Sequence, residues 1–253
     1  MVTTYLQGGL GNYMFQIAAA HALSLDVGTT TLFNELEATK IHQPLSFYKD
    51  NIFKNVNFTN ENLELTTHQE VGFEYSKLPL SNNILLSGYF QSEKYFKHRR
   101  KETLELFSPT TEQLTYISEK YGGLENTCSI HVRRGDYVNQ PRNHPLCSEK
   151  YYQDAISKMP KDTVFLVFSD DIPFCKQMFN GKSFIFIENE LDYIDMYIMS
   201  LCTNNIIANS TFSWWGAWLN KAENKVIISP SVWFGLSKQL NTTDIIPKEW
   251  LKL

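Results

Sequence analysis

Short apolar runs alternate with polar, turn-forming stretches along most of the chain, and their spacing predicts its elements. Strands are expected at about residues 2–6, 29–34, 84–89, 127–133, 163–168, 183–187, 204–208 and 225–229. Apolar residues recur at helical spacing near 13–25, 148–159, 172–180, 190–202 and 211–221. From Thr127 onward strand and helix alternate regularly, the pattern of helices wound over a parallel sheet. Residues 35–82 scatter Asn and Thr among small hydrophobic groups with no sustained period, so no element is assigned there. The polar segment KYGGLENT at 120–127 precedes the regular half and marks the expected boundary. The reading is two α/β domains, at 1–124 and 125–253, with a cleft where their strand ends face each other.

Composition narrows this further. With 253 residues, 43% of them hydrophobic, the chain can fill two cores. A net charge of −4 excludes a protein held on nucleic acid by bulk positive charge. The first 25 residues lack a basic region and are broken by Gln7, Asn12, Gln16 and His21, so no signal peptide is read. No apolar run reaches the roughly 20 residues of a membrane span. Cys128, Cys147, Cys175 and Cys202 are unevenly spaced, which argues for reduced thiols rather than a zinc site or disulfide framework.

Four segments carry candidate chemistry. QGGLGN at 7–12 lies between a predicted strand and helix, where glycines let backbone N–H groups approach an anion. As a dinucleotide fingerprint it offers Gly9 and Gly11 but has Met14 at the third glycine; Glu35 would be the ribose acid. A tight strand-to-helix turn explains it equally well. SIHVRRGDY at 129–137 runs from a buried strand into His131, Arg133, Arg134 and Asp136. Two arginines at the C-terminal end of a strand sit where α/β sheets bind ligands, and their planar forks suit diphosphate oxygens.

FSDD at 168–171 again ends an apolar strand. Asp170 and Asp171 fit three roles: holding a divalent metal, accepting hydrogen bonds from a base or ribose, or capping a helix. The further oxygen ligands a metal requires are not evident nearby. In NIIANSTFSWWGAWL at 205–219, Ser210, Thr211 and Ser213 offer donors at a helix N-terminus, a second anion site. Trp214, Trp215 and Trp218 read as core.

Together GGLGNYMFQ, GYFQSEKYF, HVRRGDY, FSDD and DMYIMSLCTNNIIANSTFSWWGAWLN span nearly the whole chain. In that order they resemble the α-1,2-fucosyltransferase family, glycosyltransferase family 11. The resemblance implies a GT-B fold of two Rossmann-like domains, an inverting mechanism, GDP-β-L-fucose as donor, a terminal β-galactoside acceptor and no required cofactor or metal. It implies that Arg133 contacts the diphosphate with Arg134 beside it and His131 near the guanosine. Ser210, Thr211 and Ser213 fall at the phosphates, Asp170 and Asp171 near the base, and Gly9, Gly11 and Asn12 in the cleft. For the general base, Asp136 and His144 are the candidates, with orientation of an arginine the preferred role for Asp136.

Lacking the membrane anchor of Golgi glycosyltransferases, the chain is expected to be cytoplasmic, bacterial or viral, with peripheral contact with a lipid-linked glycan compatible with that reading. The sequons at Asn57, Asn209 and Asn241 agree, since a glycan on Asn209 would block the phosphate turn. An NAD-dependent oxidoreductase would leave HVRRGDY idle. The other rivals are a fucosyltransferase of α-1,6 or O-linked type and a non-catalytic sugar-nucleotide binder.

Overall fold

The computed structural model describes residues 1–35, 44–238 and 240–253. They form two units, Met1–Thr110 with Leu240–Pro247, and Thr111–Gln239 with Lys248–Leu253.

The first unit is built on β1 (Val2–Thr4) and α1 (Leu10–Asp26), followed by β2 (Phe33–Asn34), α2 (Leu45–Lys49), β3 (Phe58–Thr59), β4 (Thr66–Gln69), β5 (Ile84–Ser87) and α3 (Arg100–Leu106). Strands β1, β5 and β4 form a parallel sheet in that order, and β2 pairs with β3. Helix α1 is apolar on nearly all sides, from Leu10 and Phe15 to Leu23, and is accordingly a core helix rather than an amphipathic one. The hydropathy pattern gave no sign of β4. Its sequence is TTHQ, it is largely exposed, and among the described residues it pairs only with β5, so alternation is not required of it. Of the unassigned stretch 35–82, residues 36–43 lie outside the described residues.

The second unit begins with α4 (Thr111–Tyr121) and continues through β6 (Thr127–Val132), α5 (Glu149–Ile156), β7 (Val164–Ser169), α6 (Ile172–Met178), β8 (Phe184–Phe186), α7 (Asp192–Leu201), β9 (Asn204–Ile206), α8 (Thr211–Trp218), β10 (Ile227–Ser229) and β11 (Leu251–Lys252). The polar segment 120–127 reads as the boundary, yet α4 goes with this unit. Tyr116, Lys120 and Tyr121 all bond the Glu190 carboxylate just before α7.

Six parallel strands run β11-β10-β9-β6-β7-β8. The chain enters at β6, winds outward to β8, and returns beside β6 at β9, the 3-2-1-4-5-6 order of a doubly wound sheet. β6 is buried along its whole length. Its Ile130 and Val132 meet Val167 of β7, Ile206 of β9 and the α5 residues Tyr151, Tyr152 and Ala155 in one core. Trp214, Trp215 and Trp218 pack on one another, buried, as α8 predicts for core aromatics. Among the described residues no helix is long and apolar enough to cross a membrane.

Candidate active site

Between β6 and β9 the crossovers leave in opposite directions, which opens a crevice beyond the C-terminal ends of these strands. The segments that follow β6, β7 and β9 begin HVRRGDY, SDD and NSTFS, so the topology brings three of the four candidate motifs to one edge of one sheet.

There the arginines are held by carboxylates. Arg133 places Nη2 at 2.5 Å from Asp136 Oδ1 and Nη1 at 2.7 Å from Asp170 Oδ2. Arg134 donates its backbone N–H to Asp170 Oδ1 at 2.8 Å and its Nε–H to Asp171 Oδ2 at 2.9 Å, and its guanidinium lies 3.6 Å from the centre of the Phe174 ring. Asp171 also caps α6 by accepting from the Phe174 N–H. The Arg134 hydrogen bond, helped by that N–H, holds the Asp171 carboxyl below the usual range. Gly135 is required for this assembly. It sits at φ +24, and a Cβ there would lie 2.5 Å from Asp170 Oδ2. Among the described residues no group of three or more His, Cys, Asp or Glu could hold a metal ion.

His131 is buried at the end of β6, and burial together with nearby Arg133 pushes its imidazole down to about 3, so it is neutral. It lies 5.5 Å from the Phe212 ring, and its Nδ1 has no hydrogen-bond partner among the described residues. His144 stacks on Tyr137 at 4.5 Å. Its Nε2 lies 3.1 Å from Lys238 Nζ and its Nδ1 is buried, so the ring is enclosed from both nitrogens. Ser210 caps α8 without a side-chain bond, and Thr211 opens the helix. Ser213 is buried, its Oγ donating toward the Ala208 and Ser210 carbonyls, which fixes the turn from inside.

In the first unit the QGGLGN segment is pinned by its own helix. Gln16 is fully buried, accepts from the Gln7 N–H at 3.0 Å and donates to the Gln7 carbonyl at 3.1 Å. The left-handed residue is Gly8, at φ +90, rather than Gly9 or Gly11. Gly9 is the extended N-cap of α1 and Gly11 is buried in its first turn. Asn12 accepts from Gln91 Nε2 at 3.0 Å.

A family profile described as glycosyl transferase family 11 matches residues 1–253. The chain belongs to this family. The family 11 chain is 33% identical to an α-1,2-colitosyltransferase of Escherichia coli, over 100% of this chain and 99% of that one. It is 31% identical to the O-antigen biosynthesis glycosyltransferase WbnK of the same organism, over 98% and 99%. A galactoside 2-α-L-fucosyltransferase of Caenorhabditis elegans is 24% identical, over 100% of this chain and 76% of that one. The fold is that of NodZ α-1,6-fucosyltransferase, solved after soaking with GDP-fucose: TM-score 0.55, 12% identity, 86% of this chain and 91% of that one covered. This is the GT-B type of α/β architecture expected from the motifs.

Two residues of the candidate site were not singled out in the sequence. Tyr137 and Phe174 lie against the arginines, and only their adjacency to RRGD and SDD could have flagged them. Asn209 is 2% exposed, and its Nδ2 donates to the Pro145 and Trp233 carbonyls at 2.9 and 3.0 Å. The sequon at 209–211 therefore starts on a carboxamide that ties three segments together.

Proposed function

We propose that this glycosyltransferase moves L-fucose from GDP-β-L-fucose, with inversion, to the 2-hydroxyl of a terminal β-galactoside, without a required metal. The observation that carries the reading is the Arg133–Arg134 pair at the switch point, each guanidinium already aimed by a carboxylate of the β7 loop. As the bond to fucose breaks, negative charge builds on the departing diphosphate. A fixed guanidinium stabilises that charge most in the transition state and loses little to reorganisation. Arg133 is assigned to the diphosphate with Arg134 beside it, and the backbone N–H groups at Ser210 and Thr211 face the phosphates from α8. Neutral His131 serves the guanosine side. Asp170 and Asp171 act by orienting the arginines, which take the electrostatic role a metal would have. Asp136 orients Arg133 and is the preferred general base over the enclosed His144. Buried, free Cys128, Cys175 and Cys202, with the buried Asn209 sequon, support work in a reducing cytoplasm.

The relatives' names support the linkage, since the first two specificities given are α-1,2 and 2-α. They also raise a second donor. Colitose is fucose without its 3-hydroxyl, and the 33% identical relative is named for it. A site that hydrogen-bonds this hydroxyl rejects the deoxy sugar by about 10⁴-fold or more, whereas an apolar one barely discriminates. Incubation with lactose and either GDP-fucose or GDP-colitose, followed by GDP release, tests both. Preferential turnover of GDP-fucose supports the proposal, exclusive use of GDP-colitose replaces the donor, and release from neither with any galactoside sinks it.

A further inference from the structure

At the C-terminal end of β6 two carboxylates grip the Arg133 guanidinium along its edge, Asp136 at 2.5 Å and Asp170 at 2.7 Å. Edge contacts hold a planar group in its own plane and do little to fix its tilt. The Asp136 side chain is also 51% exposed, and an ion pair so open to water holds its partner weakly. A third contact lies on the face. The guanidinium carbon sits 5.3 Å from the centre of the Tyr137 ring, inside the roughly 6 Å of a cation–π contact.

That ring is fixed from several sides, all within the second unit. Its hydroxyl donates to the Asn209 carbonyl at 3.2 Å, and burial pushes the phenol up to about 12, so it stays a donor. Asn209 is itself buried, with its Nδ2 on the Pro145 and Trp233 carbonyls and its Oδ1 accepting from Cys147 Sγ. His144 stacks on Tyr137 at 4.5 Å with 25° between the rings, and Phe234 meets His144 edge-on at 5.6 Å. The two loops that carry these rings are joined through their backbones. Gly235 donates its N–H to the Asn143 carbonyl at 2.9 Å, and a Cβ on Gly235 would lie 2.1 Å from the Arg142 carbonyl oxygen. Burial, and then the Lys238 ammonium, hold the His144 ring below its usual range. The ring packed on Tyr137 is therefore neutral and does not compete with Arg133 for its π-electrons.

We propose that Tyr137 is a positioning residue for the donor: its ring face, held by Asn209 and His144, sets the tilt of the Arg133 guanidinium toward the departing diphosphate. The inference rests on the fucosyl-transfer reading above, in which Arg133 meets that diphosphate. Tyr137 touches no reacting atom; its effect passes through Arg133. A guanidinium free to tilt still attracts an anion but must be reoriented as the charge grows, so the loss falls on turnover more than on ground-state affinity.

Tyr137→Leu and Tyr137→Phe of the full chain, each made in the wild-type and Arg133→Ala backgrounds, test it. The readouts are kcat/KM for GDP-fucose with lactose as acceptor, GDP affinity by calorimetry, and melting temperature. Tyr137→Leu keeps an apolar side chain but loses the ring face. It should lower kcat/KM on the order of 10–100-fold while GDP affinity changes by no more than about threefold. Tyr137→Phe keeps the face and loses only the hydroxyl bond, so it should recover most of that loss. In the Arg133→Ala background Tyr137→Leu should cost no more than about twofold, because the group it orients is gone. Equal fold-losses in the two backgrounds overturn the proposal, as do wild-type kinetics in Tyr137→Leu or a loss in Tyr137→Phe as large as that in Tyr137→Leu. So does a fall in activity matched by falls in melting temperature and GDP affinity, which marks a merely structural role. A wild-type rate in Arg133→Ala is a different failure: it removes the arginine from the function reading, and the proposal with it.

Discussion

The loop after β6 and the loop before α1 each present polar groups from a strand–helix junction, but they are fixed by different physics. After β6 the groups are formal charges. Arg133 and Arg134 are set by Asp136, Asp170 and Asp171 through short ion pairs, at the rim of a sheet whose order creates a crevice there. Before α1 the groups are amides. Gln7 pairs with Gln16 and Asn12 with Gln91, and the carboxylate nearby, Glu70, is half-buried on backbone N–H groups. Guanidiniums already fixed by carboxylates at a rim meet an anionic ligand with little reorganisation. A web of amides over-determines one geometry. The difference suits the first region to a diphosphate whose charge grows during reaction, and the second to holding one fixed backbone and side-chain geometry.

The largest expected effect comes from removing a charge of the first region. Arg133→Ala should lose about 2–5 kcal/mol of transition-state stabilisation, read as kcat/KM for GDP-fucose in protein of wild-type circular dichroism. Arg133→Lys should recover little, because a point charge cannot serve Asp136, Asp170 and a phosphate through one fork. Near-normal turnover by the alanine variant would remove Arg133 from the site.

Glycines compare the regions directly. Gly135→Ala drives a Cβ to within 2.5 Å of Asp170 Oδ2, and Gly8→Ala drives one to 2.2 Å from Asn12 Nδ2. Gly135→Ala should lower kcat/KM for GDP-fucose on the order of 10–100-fold, whereas Gly8→Ala should leave GDP affinity within about twofold. Gly123 is also left-handed, but a Cβ there meets nothing within 4 Å. Gly123→Ala should therefore show only about 1–2 kcal/mol of backbone strain in its melting curve and normal kinetics. Identical kinetic signatures for Gly135→Ala and Gly8→Ala would erase the distinction.

A carboxylate without an arginine behaves differently from those of the rim. Asp195 on α7 has Oδ1 buried with no hydrogen-bond partner among the described residues, and burial, reinforced by Glu190 and Asp192, pushes its carboxyl up to about 8 from 3.8. Between those values the native state binds a proton that the unfolded chain has released. Stability from this group is thus full below about pH 4 and is lost as pH rises toward 8, by at most about 1.4 kcal/mol per unit. Asp195→Asn should flatten the pH dependence of urea unfolding across that window; an unchanged slope would show that Asp195 is not its source. The smallest expected effect is that of chelation. With Asp170 and Asp171 on the arginines, EDTA should leave transfer essentially intact, and inactivation reversed only by Mg²⁺ or Mn²⁺ would make them metal ligands.

The same contrast explains what could be read from the chain. β6, β7 and β9 are buried strands, β7 as a nearly continuous apolar run, so the strands and the polar motifs that follow them are visible along the sequence. That Asp170 and Asp171 orient the arginines was not legible, because the pairing crosses from one strand end to the next. Around α1 even less was visible. β4 is polar, Glu70 looks like any surface acid, and Phe90 gives no hint of a left-handed backbone, since glycine is the residue expected there. The glycine loop showed its turn, but Gly8 rather than Gly9 carries the positive φ.

Calorimetric titration of GDP into wild-type enzyme, Arg133→Ala and Gln91→Met tests the division between the two regions most directly. Arg133→Ala should weaken GDP by at least about 30-fold, the equivalent of about 2 kcal/mol, while Gln91→Met should leave it within about twofold. Equal affinity in wild type and Arg133→Ala, with the loss appearing in Gln91→Met instead, would contradict it.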